Sequence, residues 1–347
     1  MFRFLLVVLG VVVTLTALAW YDYEHWLDTP LPLGETPRTF TIERGWSAAR
    51  VGRELEREGI LDKRHWFELY LRLGDRGGGI RSGEYVLEGD LTAVSLIETF
   101  ERGRRTRQYA HTVIEGGNWR ETLARVLADD HLVPEFSGSA GIDDAAAALV
   151  ADEAVGRALM AAIGHPELYP EGQFFADTYR FPRGTSDLDY FARAKATLDA
   201  VLAEEWAARA EGLPIESAEE ALVLASIVEK ETAVPAERPL IAGVFHSRLR
   251  KGMRLQTDPT VIYGIGPSFD GDITRRHLVT DTPYNTYTRA GLPPTPIAMV
   301  GREAIRAVLQ PQETTALFFV SRGDGSHQFS ETLAEHEAAV RKYQLGR

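Results

Sequence analysis

AEEALVLASIVEKET, residues 218–232, is the segment from which the rest of the chain is best read. Leu224, Ile227 or Val228, and Glu231 stand at i, i+3/i+4 and i+7, so they share one face of a mostly buried helix. Glu229 lies about 200° round the axis from Glu231, so the two carboxyls cannot enter one cleft. Glu231 therefore closes an apolar face. A carboxyl in such surroundings is desolvated and its neutral form favoured, which raises its pKa and suits it to act as a general acid. The plain alternative is a helix end with solvated Glu and Lys.

Outward from this helix the pattern stays mixed. A long helix fits 187–208, and a last one 331–344. Residues 143–163 are alanine-rich and read as helical packing. EGQFFADTYRFPR (171–183) reads as an aromatic loop, and beyond 252 the chain turns rich in Gly, Pro, Asn and Asp. Near the amino end, Thr39–Ile42 alternates as a strand, Gly45-Trp46-Ser47 offers a turn and an N-cap, and Ala49, Val51, Leu55 and Ile60 follow at helical spacing. A second helix over His65–Leu73, a strand at Glu84–Leu87 and a helix at Leu91–Glu101 complete a small α+β unit.

FLLVVLGVVVTLTALAW, residues 4–20, carries no charge and follows Arg3. At roughly 1.5 Å per residue it is about 25 Å long, near the lower limit for a bilayer span. Asp22, Glu24 and Asp28 follow it, so the positive-inside rule places the bulk of the chain outside the cytoplasm. Trp20, Tyr21, Tyr23 and Trp26 suit an interfacial aromatic belt. Ala17-Leu18-Ala19 also matches a signal-peptide cleavage site, and both readings export the chain. The expected class is α+β: a membrane anchor and flank (1–26), a proline-rich linker (27–38), a small α+β domain (39–104), and a mixed α+β domain (105–347).

Composition removes several functions. The net charge of −12 over 347 residues argues against a nucleic-acid binder, which needs a basic surface to displace counterions. The chain has no cysteine, which rules out disulfides, thiolate metal sites and cysteine nucleophiles. His246 and His277 lie outside metal-ligand spacing, and Gly77-Gly78-Gly79 lacks the rest of a phosphate loop, so neither metal nor cofactor is expected.

The run Ala225–Thr232, then Arg248-Leu249, Gly252–Gly264 (GMRLQTDPTVIYG), Tyr284-Asn285-Thr286-Tyr287 and Gly291-Leu292-Pro293-Pro294 together resemble the YceG-like family of endolytic murein transglycosylases. Glu171-Gly172 with Asp177-Thr178-Tyr179 resembles a further family element, although Ala176 stands where the family usually has proline. The resemblance spans nearly the whole chain and includes a LysM-like unit over about 39–103. It implies cleavage of the β-1,4 bond between N-acetylmuramic acid and N-acetylglucosamine within glycan strands, without water, leaving 1,6-anhydro ends. It further implies Glu231 as the acid/base and a bacterial inner-membrane protein with one span through residues 4–20. The catalytic domain would lie in the periplasm, with peptidoglycan strands and peptidoglycan synthases as partners.

Other residues are candidates for holding the sugar. Gln256, Asp258 and Thr260 can hydrogen-bond acetamido and hydroxyl groups, though Asp258-Pro259 is also a common turn. Tyr263, Tyr284 and Tyr287 can stack on sugar faces or simply fill a core. Asn285 can bind ligand or hold its loop, and Asp177 is a candidate second carboxylate. Glu229 reads as structural, paired with Arg248 or Lys230. Two rivals remain: a hydrolytic muramidase using Glu231 with Asp177 or Asp258, and a non-catalytic envelope adaptor that binds glycan through its LysM-like unit.

Overall fold

The computed structural model describes residues 2–34, 36–104, 106–142 and 144–346, with the side chains of Phe2 and Arg3 left aside. Arg3, on which the expected orientation partly rests, and residues 105 and 143 of the expected boundaries thus fall outside the described groups. The chain divides into two units, residues 1–109 with 180–185, and residues 110–179 with 186–347.

In the first unit the order is strand, helix, helix, strand, helix, as the periodicity predicts. Strand Arg38–Ile42 pairs antiparallel with Gly83–Leu87, with Phe40 opposite Tyr85. Ser47 caps the helix Ala48–Arg57, and Thr92 and Ser95 form a capping box on Ala93–Arg102. Phe40, Val51, Leu55, Phe67, Tyr85 and Phe100 close the core between them.

The amino-terminal helix runs from Phe2 to Asp28, and its stretch Phe4–Asp28 is long and apolar enough to cross a membrane. Two expectations change here. Tyr23 and Trp26 are buried in the first unit's core and do not belong to an interfacial belt, whereas Trp20 and Tyr21 stay exposed. The proline-rich stretch 27–38 is no free stalk: Leu31 and Leu33 join the same core, and the Leu31 N–H donates to the Leu91 carbonyl at 2.7 Å. Its polar composition conceals two apolar residues that local pairing turns inward.

The second unit is mostly helical. Helix Asp187–Ala207 packs on Ala218–Glu231 and Arg302–Leu309, and Arg238–Arg250 lies against these last two, around Leu198, Leu224, Ile227, Phe245, Ile305 and Val308. The alanine-rich stretch splits into Ala145–Leu149 and Glu153–Ala162, because Asp152 starts a new helix by accepting from the Val155 N–H. A hairpin, Phe318–Ser321 with His327–Ser330, precedes the last helix, Leu333–Tyr343.

One glycine shows how tightly these helices are seated. A Cβ at Gly243 would stand 2.2 Å from the Gln312 carbonyl oxygen, a backbone atom that cannot rotate away. Gly243→Ala is expected to cost about 1–3 kcal/mol through overpacking, read as a lower urea midpoint at unchanged slope.

Candidate active site

Helix Ala218–Glu231 begins at Ser217, whose hydroxyl accepts from the Glu220 N–H, with Glu219 and Glu220 in the favourable first turn. Its middle, Ala221 to Glu229, is buried. The three charged residues at its end then diverge. Glu229 turns inward and accepts from Arg238 Nη2 at 2.6 Å and from the Gly301 N–H at 3.0 Å. The expected partners, Arg248 and Lys230, go elsewhere: Lys230 Nζ donates to the Gly116 carbonyl at 3.0 Å. Burial still pushes the Glu229 carboxyl upward, even against the pull of Arg238.

Glu231 enters a cavity of about 520 Å³ lined by Arg248, Gln256, Thr257, Asp258, Tyr287, the hairpin residues Phe318 to Ser321, His327, and the last helix from Leu333 to Gln344. Burial is the largest influence on its carboxyl and pushes it up to about 7. The Thr257 hydroxyl, which donates to Oε1, and the charges of His327 and Arg248 pull the other way, while Asp258 adds to the rise. A carboxyl half-protonated near neutral pH can give a proton and take one back.

The loop beyond residue 252 supplies the floor. Gln256 holds a left-handed φ of 51°, a conformation that non-glycine residues seldom adopt, and this places Thr257 beneath Glu231. Thr286 steadies the loop: its carbonyl accepts from the Gln256 N–H at 3.2 Å and its hydroxyl from the Thr257 N–H at 3.1 Å. Asp258-Pro259 opens the helix Asp258–Ile265 where a simple turn was the alternative, since proline suits a first helical turn. Tyr287 donates its hydroxyl to Asp258 Oδ1 at 2.7 Å. Arg248 is tied down by carbonyls, donating from Nε to Leu317 at 2.6 Å and from Nη1 to Leu255 at 2.7 Å.

The cavity therefore gathers Glu231, Gln256, Asp258 and Tyr287 from the expected set and leaves the others out. Thr260 is fully buried, its hydroxyl donating to the Thr257 carbonyl at 2.8 Å, so it holds the loop. Asn285 does the same: Nδ2 donates to the carbonyls of His277, Leu278 and Thr280, and Oδ1 accepts from the Tyr287 N–H. Tyr263 and Tyr284 pack edge to face at 4.7 Å between centroids, and the Tyr284 hydroxyl meets that of Thr295. Asp177 is exposed, with Oδ1 accepting from the Thr178 N–H at 2.6 Å, and it does not line the cavity. Thr257 stands inside the motif run without a signal that sets it apart, and no local pattern marks Phe318, Phe319 or His327, which arrive from a distant hairpin.

Another buried carboxyl outside the cavity is that of Glu171. Glu171 is fully buried, accepts from the Trp119 N–H at 3.2 Å, and is pushed by burial up to about 8. It is protonated in the folded protein where the unfolded chain would be ionised. Stability should then fall by about 1.4 kcal/mol per pH unit as pH rises from the ordinary carboxylate range towards 8. Glu171→Gln keeps the shape and is expected to remove much of that slope in melting curves between pH 5 and 8.5.

A family model described as the YceG-like family matches residues 40–342. The chain is 29% identical to an endolytic murein transglycosylase of Bacillus subtilis over 89% of its own length and 85% of that protein's. It is 23% identical to an endolytic murein transglycosylase of Streptococcus pneumoniae, covering 95% of itself and 63% of that longer relative. A yceG-like protein from Listeria monocytogenes, known from its crystal structure, superposes with a TM-score of 0.50 at 26% identity, over 88% of this chain and 99% of that one.

Proposed function

The chain belongs to the YceG-like family, and on that premise we propose that it is a lytic transglycosylase that cuts peptidoglycan strands internally. The observation that carries this reading is the Glu231 carboxyl, held by Thr257 inside a sugar-sized cavity and raised to about 7 by burial. The neutral acid protonates the oxygen joining N-acetylmuramic acid to N-acetylglucosamine, and the C1–O4 bond breaks. The muramyl 6-hydroxyl oxygen then attacks C1 and its proton returns to the Glu231 carboxylate, leaving a 1,6-anhydro end. One carboxyl suffices because the nucleophile belongs to the substrate, whereas glycoside hydrolases usually need two. Gln256, Asp258 and Tyr287 offer hydrogen bonds and an aromatic face to the sugars.

A hydrolytic muramidase is the second reading, favoured by one observation: Asp258 lines the same cavity. Its Oδ1 is engaged by Tyr287, which leaves it less free to activate water. Mass spectrometry of digested strands separates the two, since an anhydro end is lighter by one water than a reducing end. We expect anhydro ends, with the rate declining as pH climbs through about 7 and Glu231 loses its proton. Reducing ends alone would overturn the proposal in favour of hydrolysis.

The helix Phe4–Asp28 would anchor the enzyme in the inner membrane with both units in the periplasm. The small unit, read as LysM-like, would bind glycan or set the distance from the bilayer. Peptidoglycan synthases are the partners such a placement brings within reach.

A further inference from the structure

The cavity contains an imidazole that the reaction above does not use. His327 begins the second strand of the hairpin, and one carboxylate grips it twice: its backbone N–H donates to Glu237 Oε1 at 2.9 Å, and its Nδ1 lies 2.7 Å from Glu237 Oε2. Glu237 closes the short 3-10 turn Pro235–Glu237, which follows the site helix. Both side chains are largely buried, at 12% and 17% exposure, and the ring meets Phe319 edge to face at 5.5 Å, so it has little freedom to swing. A carboxylate only accepts, so Nδ1 carries the hydrogen and Nε2 of the neutral ring is an acceptor. His327 lines the cavity together with Glu231.

We propose that His327, oriented by Glu237, is a second catalytic residue whose Nε2 receives the proton of the attacking sugar hydroxyl. The inference rests on the transglycosylase reading and completes its proton path. Glu231 gives its proton to O4 as the C1–O4 electron pair leaves with that oxygen. A lone pair of O6 forms the new bond to C1, and the O6 proton passes to Nε2. The imidazolium hands that proton to the Glu231 carboxylate, so both groups regain their starting states and no water enters. Glu231 is held by Thr257, and the relay spares it from reaching both oxygens of the sugar. Imidazole is the side chain best suited to moving a proton near neutral pH.

The test uses the full chain on purified glycan strands, with anhydro ends counted by mass spectrometry. His327→Asn places an amide nitrogen where Nδ1 was, retaining the bond to Glu237 while deleting Nε2. The expected result is a fall in kcat of about 10²-fold or more, with KM and melting temperature close to wild type. Glu237 is a positioning residue, and Glu237→Gln should lower kcat about tenfold at unchanged KM, with the double variant no worse than His327→Asn alone. Near-normal kcat in a folded His327→Asn protein overturns the relay. If Glu231→Gln abolishes anhydro ends in the same assay while His327→Asn does not, the transglycosylase reading stands and only the relay falls. A wild-type protein that releases no anhydro ends removes both.

Discussion

Glu231→Gln is expected to lower the release of anhydro ends by at least about 10³-fold, because an amide cannot protonate the departing sugar oxygen. The amide fills the same space and can still accept from Thr257, so the fold should be unaffected. Melting above pH 7 should be unchanged or slightly higher, since the variant no longer holds an ionisable group in a place that disfavours its charge. The measurement is paired: turnover on glycan strands and a thermal scan of the same sample. A folded variant with near-normal turnover would sink the assignment of Glu231.

Glu229, two residues earlier, should show the opposite split. Removing its side chain leaves Arg238 buried beside only the more distant Glu115 oxygen at 3.5 Å, and strips the Gly301 N–H of its acceptor. Loss of one partner from a buried pair costs about 3–5 kcal/mol, more than the pair itself contributes. Glu229→Ala should therefore shift the denaturant midpoint strongly, while whatever protein remains folded keeps its turnover. Replacing both residues together, as Glu229→Leu with Arg238→Met, should recover much of the loss because no charge is then stranded. A Glu229→Ala protein as stable as wild type would show that the pair is solvated in solution.

These two glutamates also mark how far local pattern reaches. Helical arithmetic alone separates Glu229 from Glu231 and sets the second at the end of an apolar face. The same periodicity gives the helices Ala48–Arg57, Arg64–Leu73 and Ala93–Arg102 of the first unit and Asp187–Ala207, Ala218–Glu231 and Leu333–Tyr343 of the second to within a few residues, but not Trp119–Leu127, Arg238–Arg250, Asp258–Ile265 or Arg302–Leu309. Three things were hidden, each for a physical reason. Tyr23 and Trp26 follow an apolar run, and aromatic residues there look alike whether they face lipid headgroups or a protein core. Thr260, Asn285 and Asp177 are polar residues inside quoted runs, yet they satisfy backbone groups of their own loops, a use that composition cannot distinguish from ligand binding. The far wall of the cavity comes from Phe318, Phe319 and His327, nearly ninety residues from Glu231 or more, and only tertiary packing brings it there.

The first helix passes from its exposed apolar part into a protein core without a break. Beyond Gly10 it meets no glycine or proline before Pro30, and Asp22 is fastened to Lys63 at 2.6 Å and to Trp66 at 3.0 Å. Were about twenty of its residues taken up by a lipid bilayer, no swivel would be left between lipid and the folded part. The first unit would inherit the helix's heading as a keel follows its hull, and a few Gly-Ser residues inserted after Tyr21 would set it adrift without loosening the mooring.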